Sequence, residues 1–290
     1  MKKIKIAYSD FWYPFDPKNT FYNELLKFLG YEVEIVDLKQ SPNILFYSCY
    51  THDHRMVDRS RTKKIFVTGE NVRPNFNECD YSISFDFPDY GGKNIRLPLW
   101  LFQIDWFNKE NYTNPEYVIP QDKLYENDWM KKQKTKFCCI VFNTYSHYRA
   151  EMIEKLSRYK KVDCYGKPFG NWFYGEKNKI NVLSDYKFNI CFENSLYPGY
   201  YTEKPIHSKT AGCIPIYWAD KYCYNDFNQG SFLNLNDCNN SVDLLIQKII
   251  EMDSNQTRYE NMKNTSLYKN KPSIDYVINR MKQILCEMQL

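Results

Sequence analysis

The stretch KKIKIAYSDFWYPFDPKNTFYNELLKFLGYEVEIVDL, residues 2–38, decides how the fold is read. KKIKIAYSD alternates apolar residues with lysines, the period of a strand, and then gives way to the aromatic loop SDFWYPF. TFYNELLKFLG has apolar residues at helical spacing and stops at Gly30, a residue suited to closing a helix. YEVEIVDL returns to period two. Strand, helix, strand in that order is a βαβ unit, and such units build parallel sheets covered by helices. NILFYSCY (43–50), KKIFVTGEN (63–71), YSISFDF (81–87) and IRLPLWL (95–101) extend the series as further strands.

Between about residues 107 and 136 the rhythm lapses into polar, Asn- and Lys-rich sequence with Pro115 and Pro120. The pattern then restarts with FCCIVFNT (strand), Ser146 to Arg158 (helix), VDCYGK and FNICFE (strands), TEKPIHSKTAG (helix) and CIPIYWA (strand). From Ser241 onward the tail is helical in pattern, most clearly in DLLIQKIIEM and IDYVINRMKQIL. The expected architecture is α/β, with two Rossmann-like domains facing each other across a cleft: an N-terminal domain over 1–120, a linker over 121–136 and a C-terminal domain over 137–290 with the helical tail. Ligands of such sheets sit beyond the carboxyl ends of the strands, which directs attention to the loops after KKIFVTG and FNICFE.

Composition narrows the function classes. A chain of 290 residues is long enough for two ordinary cores, and its net charge of +4 is spread without a long basic block, which argues against a nucleic-acid partner. The 26 Tyr and 19 Phe suit sugar and nucleotide surfaces as well as ordinary cores. Ten cysteines without a CxxC pair, several in apolar runs, read as buried free thiols of a reducing compartment. The start reads as a strand rather than a signal peptide, and no run approaches the roughly 18–20 apolar residues of a membrane span. A soluble, cytoplasmic chain is expected, and the four N-x-S/T sequons read as accidental.

The densest polar segment is FENSLYPGYYTEKPIHSKTAGCIPIYW, residues 192–218. An apolar strand runs into a Glu-Asn-Ser loop and then a helix, for which Thr202 is the expected N-cap, with Glu203 and Lys204 in the first turn and Gly212 past the end. Free amides at that helix start, with Lys204 beside them, suit a pyrophosphate. Taken alone, Glu203 reads first as a favourable first-turn acid and Lys204 as a solvated surface residue; the crowding of Glu193, Asn194, Tyr200, Tyr201, Glu203 and Lys204 into twelve residues is richer than a connection requires and shifts the reading to a site.

FENSLYPGYYTEK followed by AGCIPIYW resembles the signature of the α-1,3/4-fucosyltransferase family, glycosyltransferase family 10. A second block, IFVTGENVRPNFNECDYSISFDF (65–87) with RLPLW (96–100) downstream, is similar to that family's acceptor-domain motif, in the same order and at comparable spacing. The likeness covers roughly residues 60–235 and implies a GT-B fold that moves L-fucose from GDP-β-L-fucose to a glycan hydroxyl with inversion. By the same resemblance Glu70 is the general base, Glu203 lies by the fucose, and Lys204 with Arg149 of YSHYRAEMIEKL holds the diphosphate. Asn194, Tyr200 and Tyr174 match donor-contacting positions. Trp12 and Asn71 are placed on the acceptor side.

The structural alternatives are a Glu70 loop carboxylate paired with Arg73 or a nearby Lys, and an Arg149 paired with Glu151 or Glu154 on the helix surface. The chain has no D-x-D carboxylate pair, and His52 and His54 around Asp53 read as surface residues, so no metal site is expected and a divalent cation is at most stimulatory. Pro205 stands where the family pattern has an aliphatic residue, and neither membrane-surface attachment through a basic amphipathic tail nor dimerisation through heptad repeats is expected. Competing functions are another GDP-sugar transferase or hydrolase on the same fold, and a glycan-binding relative without catalysis.

Overall fold

A computed structural model describes residues 2–171 and 175–289. The chain divides into two compact units, Met1–Val118 with Ser273–Leu290, and Ile119–Pro272.

The first unit is built on six parallel strands: β1 (Lys2–Ser9), β2 (Tyr31–Ile35), β3 (Ile44–Tyr47), β4 (Lys63–Val67), β5 (Tyr81–Ser84) and β6 (Asn94–Arg96). Their order across the sheet is β2-β1-β3-β4-β5-β6. Central β3 reads ILFY and is buried at every position, as expected of a strand covered on both faces. Helix α1 (Phe21–Phe28) starts at Thr20, whose hydroxyl accepts from the Asn23 amide at 3.1 Å, and buries Phe21, Tyr22, Leu25 and Leu26. The expected strand over 95–101 stops at Arg96. Pro98 has no amide to offer a ladder, and the chain turns into a 3₁₀ segment from Leu99.

The second unit carries a five-stranded parallel sheet of β7 (Lys136–Val141), β8 (Val162–Tyr165), β9 (Tyr186–Ile190), β10 (Ile214–Tyr217) and β11 (Leu233–Asn234), in the order β8-β7-β9-β10-β11. Its helices are α2 (Asp128–Lys131), α3 (His147–Ser157), α4 (Glu176–Leu183), α5 (Lys204–Thr210), α6 (Val242–Ser254) and α7 (Gln256–Asn264). The core joins Ile140, Phe188, Ile190 and Ile216 of the strands to Met152 and Leu156 of α3 and Leu245 and Ile249 of α6.

Two domain expectations are corrected. The supposed linker over 121–136 belongs to the second unit: it forms α2, and Lys134 Nζ donates to the carbonyls of Trp129, Ser184 and Ala211 at 3.1, 2.8 and 2.5 Å. Met130 approaches so closely that a Cβ on Gly212 (φ +75°) would sit 2.8 Å from its Cα. The last helix, α8 (Asp275–Glu287), belongs to the first unit rather than to the C-terminal domain. Its stripe of Val277, Met281, Ile284 and Leu285 is buried, α8 packs beside β6, and it is tied mid-helix by Arg280 to the Gly92 carbonyl and at its last residue, Glu287, by Tyr81.

Candidate functional site

In the second unit the chain leaves β9 and reaches Glu193, whose side chain is 1% exposed. A buried carboxylate must be satisfied by donors and countercharge. The Thr202 amide donates to Oε1 at 2.9 Å, the Thr202 hydroxyl reaches both oxygens at 3.0 and 2.9 Å, Tyr217 OH donates at 2.6 Å and Lys204 Nζ at 2.6 Å. Glu193 thus closes the 193–204 loop on itself and fastens it to β10. Burial, with this carboxylate as neighbour, pushes the Tyr217 phenol well up, so the phenol stays a donor. Thr202 is therefore not the expected N-cap: its hydroxyl is spent on Glu193 and Lys204. The seven-residue α5 begins one residue later, after Glu203, without a side-chain cap.

Arg149 lies on the buried face of α3 with Met152 and Leu156 and is 2% exposed. Its guanidinium donates to the carbonyls of Thr144 at 2.8 Å and Phe192 at 2.6 Å, and to Asn194 Oδ1 at 2.8 Å. The alternative of a surface pair with Glu151 or Glu154 is thereby excluded: Glu151 pairs with Lys155 and Glu154 with Arg158. Burial weakens the hold of Arg149 on its proton and nearby Glu193 opposes that loss. Tyr200, 4% exposed, lies within electrostatic reach of both Arg149 and Lys204.

Glu203 sits 3.6 Å from Lys179 Nζ. Burial alone would raise its pKa, but Lys204, Lys179 and His207 outweigh burial and hold the carboxyl well below the usual range. Burial likewise disfavours the Lys204 ammonium, and Glu193 and Glu203 more than compensate. Lys179 was not singled out in the sequence, where nothing separates it from the other lysines of a Lys- and Asn-rich stretch. Tyr174 lies outside the described residues.

His207 on α5 is fully buried, and burial together with the charges of Lys179 and Lys204, against Glu203, lowers its pKa to about 3. The unfolded imidazole takes a proton near its ordinary value of 6.5, whereas the folded one does not until about 3. Between those values the unfolded chain binds more protons, so stability is complete above about pH 6.5 and falls as pH drops, by up to roughly 1.4 kcal/mol per pH unit. Glu203 has a lowered pKa, so its own contribution is lost only below the ordinary glutamate value of 4.5. In urea titrations between pH 6.5 and 4.5, His207→Gln should therefore lose less stability than the wild-type chain; parallel curves would refute the assignment.

In the first unit Glu70 follows β4. Its amide donates to Thr68 Oγ1 at 2.9 Å, and its exposed carboxylate accepts from Tyr50 OH at 2.8 Å. The Glu70–Arg73 alternative fails: Arg73 pairs with Asp86, lies 4.0 Å over the Phe85 ring and donates to Asn71 Oδ1 at 2.6 Å. Trp12, after β1, packs edge-on against Phe11, Phe15 and Tyr50 with centroids 5.6, 5.3 and 6.1 Å apart. Trp12, Tyr50 and Glu70 thus meet at the carboxyl ends of β1, β3 and β4, where parallel sheets place ligands. The surface reading of His54 is corrected: it is 3% exposed, with Nδ1 2.6 Å from Asp10 and Nε2 3.2 Å from Glu78.

Among the described residues no group of three or more His, Cys, Asp or Glu is placed to hold a metal ion, and no helix is long and apolar enough to cross a membrane. All ten cysteines are free.

Two parallel-sheet units of this kind are the GT-B architecture. A crystal structure of an alpha1,3-fucosyltransferase superposes over 98% of this chain and 90% of its own with a TM-score of 0.75 at 26% identity, and the same kind of enzyme with GDP-fucose over 98% and 91% with a TM-score of 0.72 at 26% identity. The model of the alpha-(1,3)-fucosyltransferase FucT N-terminal domain matches residues 6–103, and that of the glycosyltransferase family 10 (fucosyltransferase) C-terminal region matches residues 129–288. The chain belongs to glycosyltransferase family 10. It is 30% identical to the alpha-(1,3)-fucosyltransferase FucT of Helicobacter pylori over 92% of this chain and 60% of that protein. It is also 30% identical to the human 4-galactosyl-N-acetylglucosaminide 3-alpha-L-fucosyltransferase 9, over 43% of this chain and 36% of that protein. The chain thus spans less than two thirds of the length of each of these curated relatives.

Proposed function

We propose that the chain transfers L-fucose from GDP-β-L-fucose to a hydroxyl of a galactoside or N-acetyllactosamine-type glycan, with inversion to an α-L-fucoside. The observation that carries this reading is the grouping of Lys179 and Lys204 around an ionised Glu203, beside a buried Arg149. Fucosyl transfer develops positive charge on the sugar ring and negative charge on the departing diphosphate, so opposite charges fixed close together lower its barrier. Arg149 spends N–H donors on Thr144, Phe192 and Asn194 and keeps the rest of its guanidinium for phosphate oxygens. Glu203 takes the ring charge.

Glu70 is the general base of this reading. It removes the acceptor hydroxyl proton as that oxygen attacks the anomeric carbon on the face opposite GDP. Trp12 offers the aromatic surface on which sugar C–H faces pack, and Asn71, held by Arg73, stands next to the base.

The test is turnover: the full chain, given GDP-fucose and a panel of galactosides and N-acetyllactosamine-type acceptors, should release GDP and yield a product whose anomeric proton and carbon signals are those of an α-fucoside. A β-fucoside would refute inversion. GDP release without a glycan product would make the chain a hydrolase, and absence of both turnover and GDP-fucose binding would defeat the reading altogether.

A further inference from the structure

We propose that Tyr50 is the positioning residue of Glu70, and that Asp10 holds the loop that presents it. The proposal rests on reading Glu70 as the base.

Tyr50 is 45% exposed, yet its hydroxyl is not left to water: it donates to Glu70 Oε1 at 2.8 Å across twenty residues of sequence. A phenol in this role donates, and the carboxylate accepts in its ionised form. With Oε1 engaged, Oε2 is the oxygen that faces an incoming hydroxyl, and the carboxylate loses rotational freedom about its last bond. A base held in one rotamer meets the proton it must remove at hydrogen-bond distance, and a misplacement of an ångström is costly.

A tyrosine on a mobile loop would hold nothing, and the loop that carries Tyr50 is unusually well tied. The Tyr50 amide donates to the Asp10 carbonyl at 3.0 Å. The Asp10 side chain, 0% exposed, accepts from the Asp53 amide at 2.7 Å, the His54 amide at 3.1 Å, His54 Nδ1 at 2.6 Å and the Thr51 hydroxyl. Asp10 itself occupies the left-handed backbone region (φ 62°), an uncommon state for a residue other than glycine that surrounding bonds must maintain. His54 completes the root. Its ring stacks on Tyr47 of β3 at 4.0 Å, and its other nitrogen meets Glu78. One buried carboxylate therefore secures residues 51–54, and its own carbonyl secures residue 50. Trp12, two residues beyond Asp10, then closes against the Tyr50 ring. Asp10 thus joins the loop after β1 to the loop after β3, and Tyr50 carries that connection on to Glu70 after β4.

The experiment is a double-mutant cycle on the full chain with GDP-fucose and a turned-over acceptor. Tyr50→Phe removes one oxygen from an exposed ring, so it folds; its kcat should fall roughly tenfold, the order of one hydrogen bond to a charged group, with KM for GDP-fucose unchanged. In a Glu70→Gln background, Tyr50→Phe should add no further loss, because it acts through Glu70. Full activity of Tyr50→Phe overturns the proposal, and so does an equal loss in both backgrounds. A Glu70→Gln variant with intact turnover would sink the base assignment itself, an outcome separate from a silent Tyr50→Phe beside an inactive Glu70→Gln. Asp10→Asn should lower kcat as Tyr50→Phe does; a folded, fully active Asp10→Asn overturns the Asp10 half. If that variant does not fold, Thr51→Val, which removes one donor to Asp10, takes its place and is read the same way.

Discussion

Glu70→Gln should lower the turnover of fucosyl transfer by about 10²–10⁴-fold, the usual cost of losing a general base, while GDP-fucose binds as before. The substitution changes charge and basicity with almost no change of shape. The glutamine carbonyl still accepts from Tyr50, so the local arrangement survives and only proton removal is lost. Stability should stay within about 0.5 kcal/mol, since Glu70 is exposed and Arg73, the cation nearest in sequence, is already held by Asp86. Steady-state GDP release with a saturating glycan gives kcat, and calorimetric titration gives donor affinity. Unchanged kcat would remove Glu70 from the chemistry. Lost GDP-fucose binding at intact stability would instead move it to the nucleotide.

This prediction draws on a residue legible in the sequence, but most of its surroundings were not. The strands of both units could be read because alternation and short apolar runs are local signals, and β1, β3, β4, β7, β9 and β10 lie where those runs do. Helix α4 escaped because KNKINVL offers only Ile180 and Leu183 to the core. The helix of the tail could be read, but its partner could not: a stripe of Val277, Met281, Ile284 and Leu285 says that one face is buried, and nothing in it names the sheet that buries it. The polar stretch before β7 looked like a linker because Lys134 looks like a solvated lysine until three carbonyls are found around its ammonium.

The same limit shaped the site. Arg149 could be singled out only through resemblance, since a helix-surface arginine and a buried one are written alike. His54 read as a surface residue because Asp10 is forty-four positions away. Thr202 read as a cap because local rules place it there, and a buried carboxylate nine residues earlier outbids them. Pairings of this kind are set by which loops the sheet brings together, and a single sequence does not record that.

Glu193 shows the consequence most sharply, and Glu193→Ala should be the most destabilising single change in the second unit's site, at roughly 3–5 kcal/mol. The carboxylate is 1% exposed and receives the Thr202 amide and hydroxyl, Tyr217 and Lys204. Removing it leaves a buried amide, two hydroxyls and an ammonium without their acceptor. It also leaves Lys204, Lys179 and Arg149 facing only Glu203, so repulsion among cations replaces compensation. Glu193→Gln keeps the volume and one acceptor, and should cost less, about 1–3 kcal/mol.

Donor affinity should fall with stability, because Glu193 fastens the whole segment from Asn194 to Lys204. Urea titration should show a lower midpoint with an unchanged slope, and hydrogen exchange should rise first at the Thr202 amide. Glu203→Gln provides the contrast: its side chain is 28% exposed and accepts no comparable set of buried donors, so it should weaken fucosyl transfer at a smaller cost in stability than Glu193→Ala. If Glu193→Ala is as stable as the wild-type chain and binds GDP-fucose equally well, the carboxylate is a bystander, and the loop must owe its shape to Arg149 and its bonds to Thr144, Phe192 and Asn194.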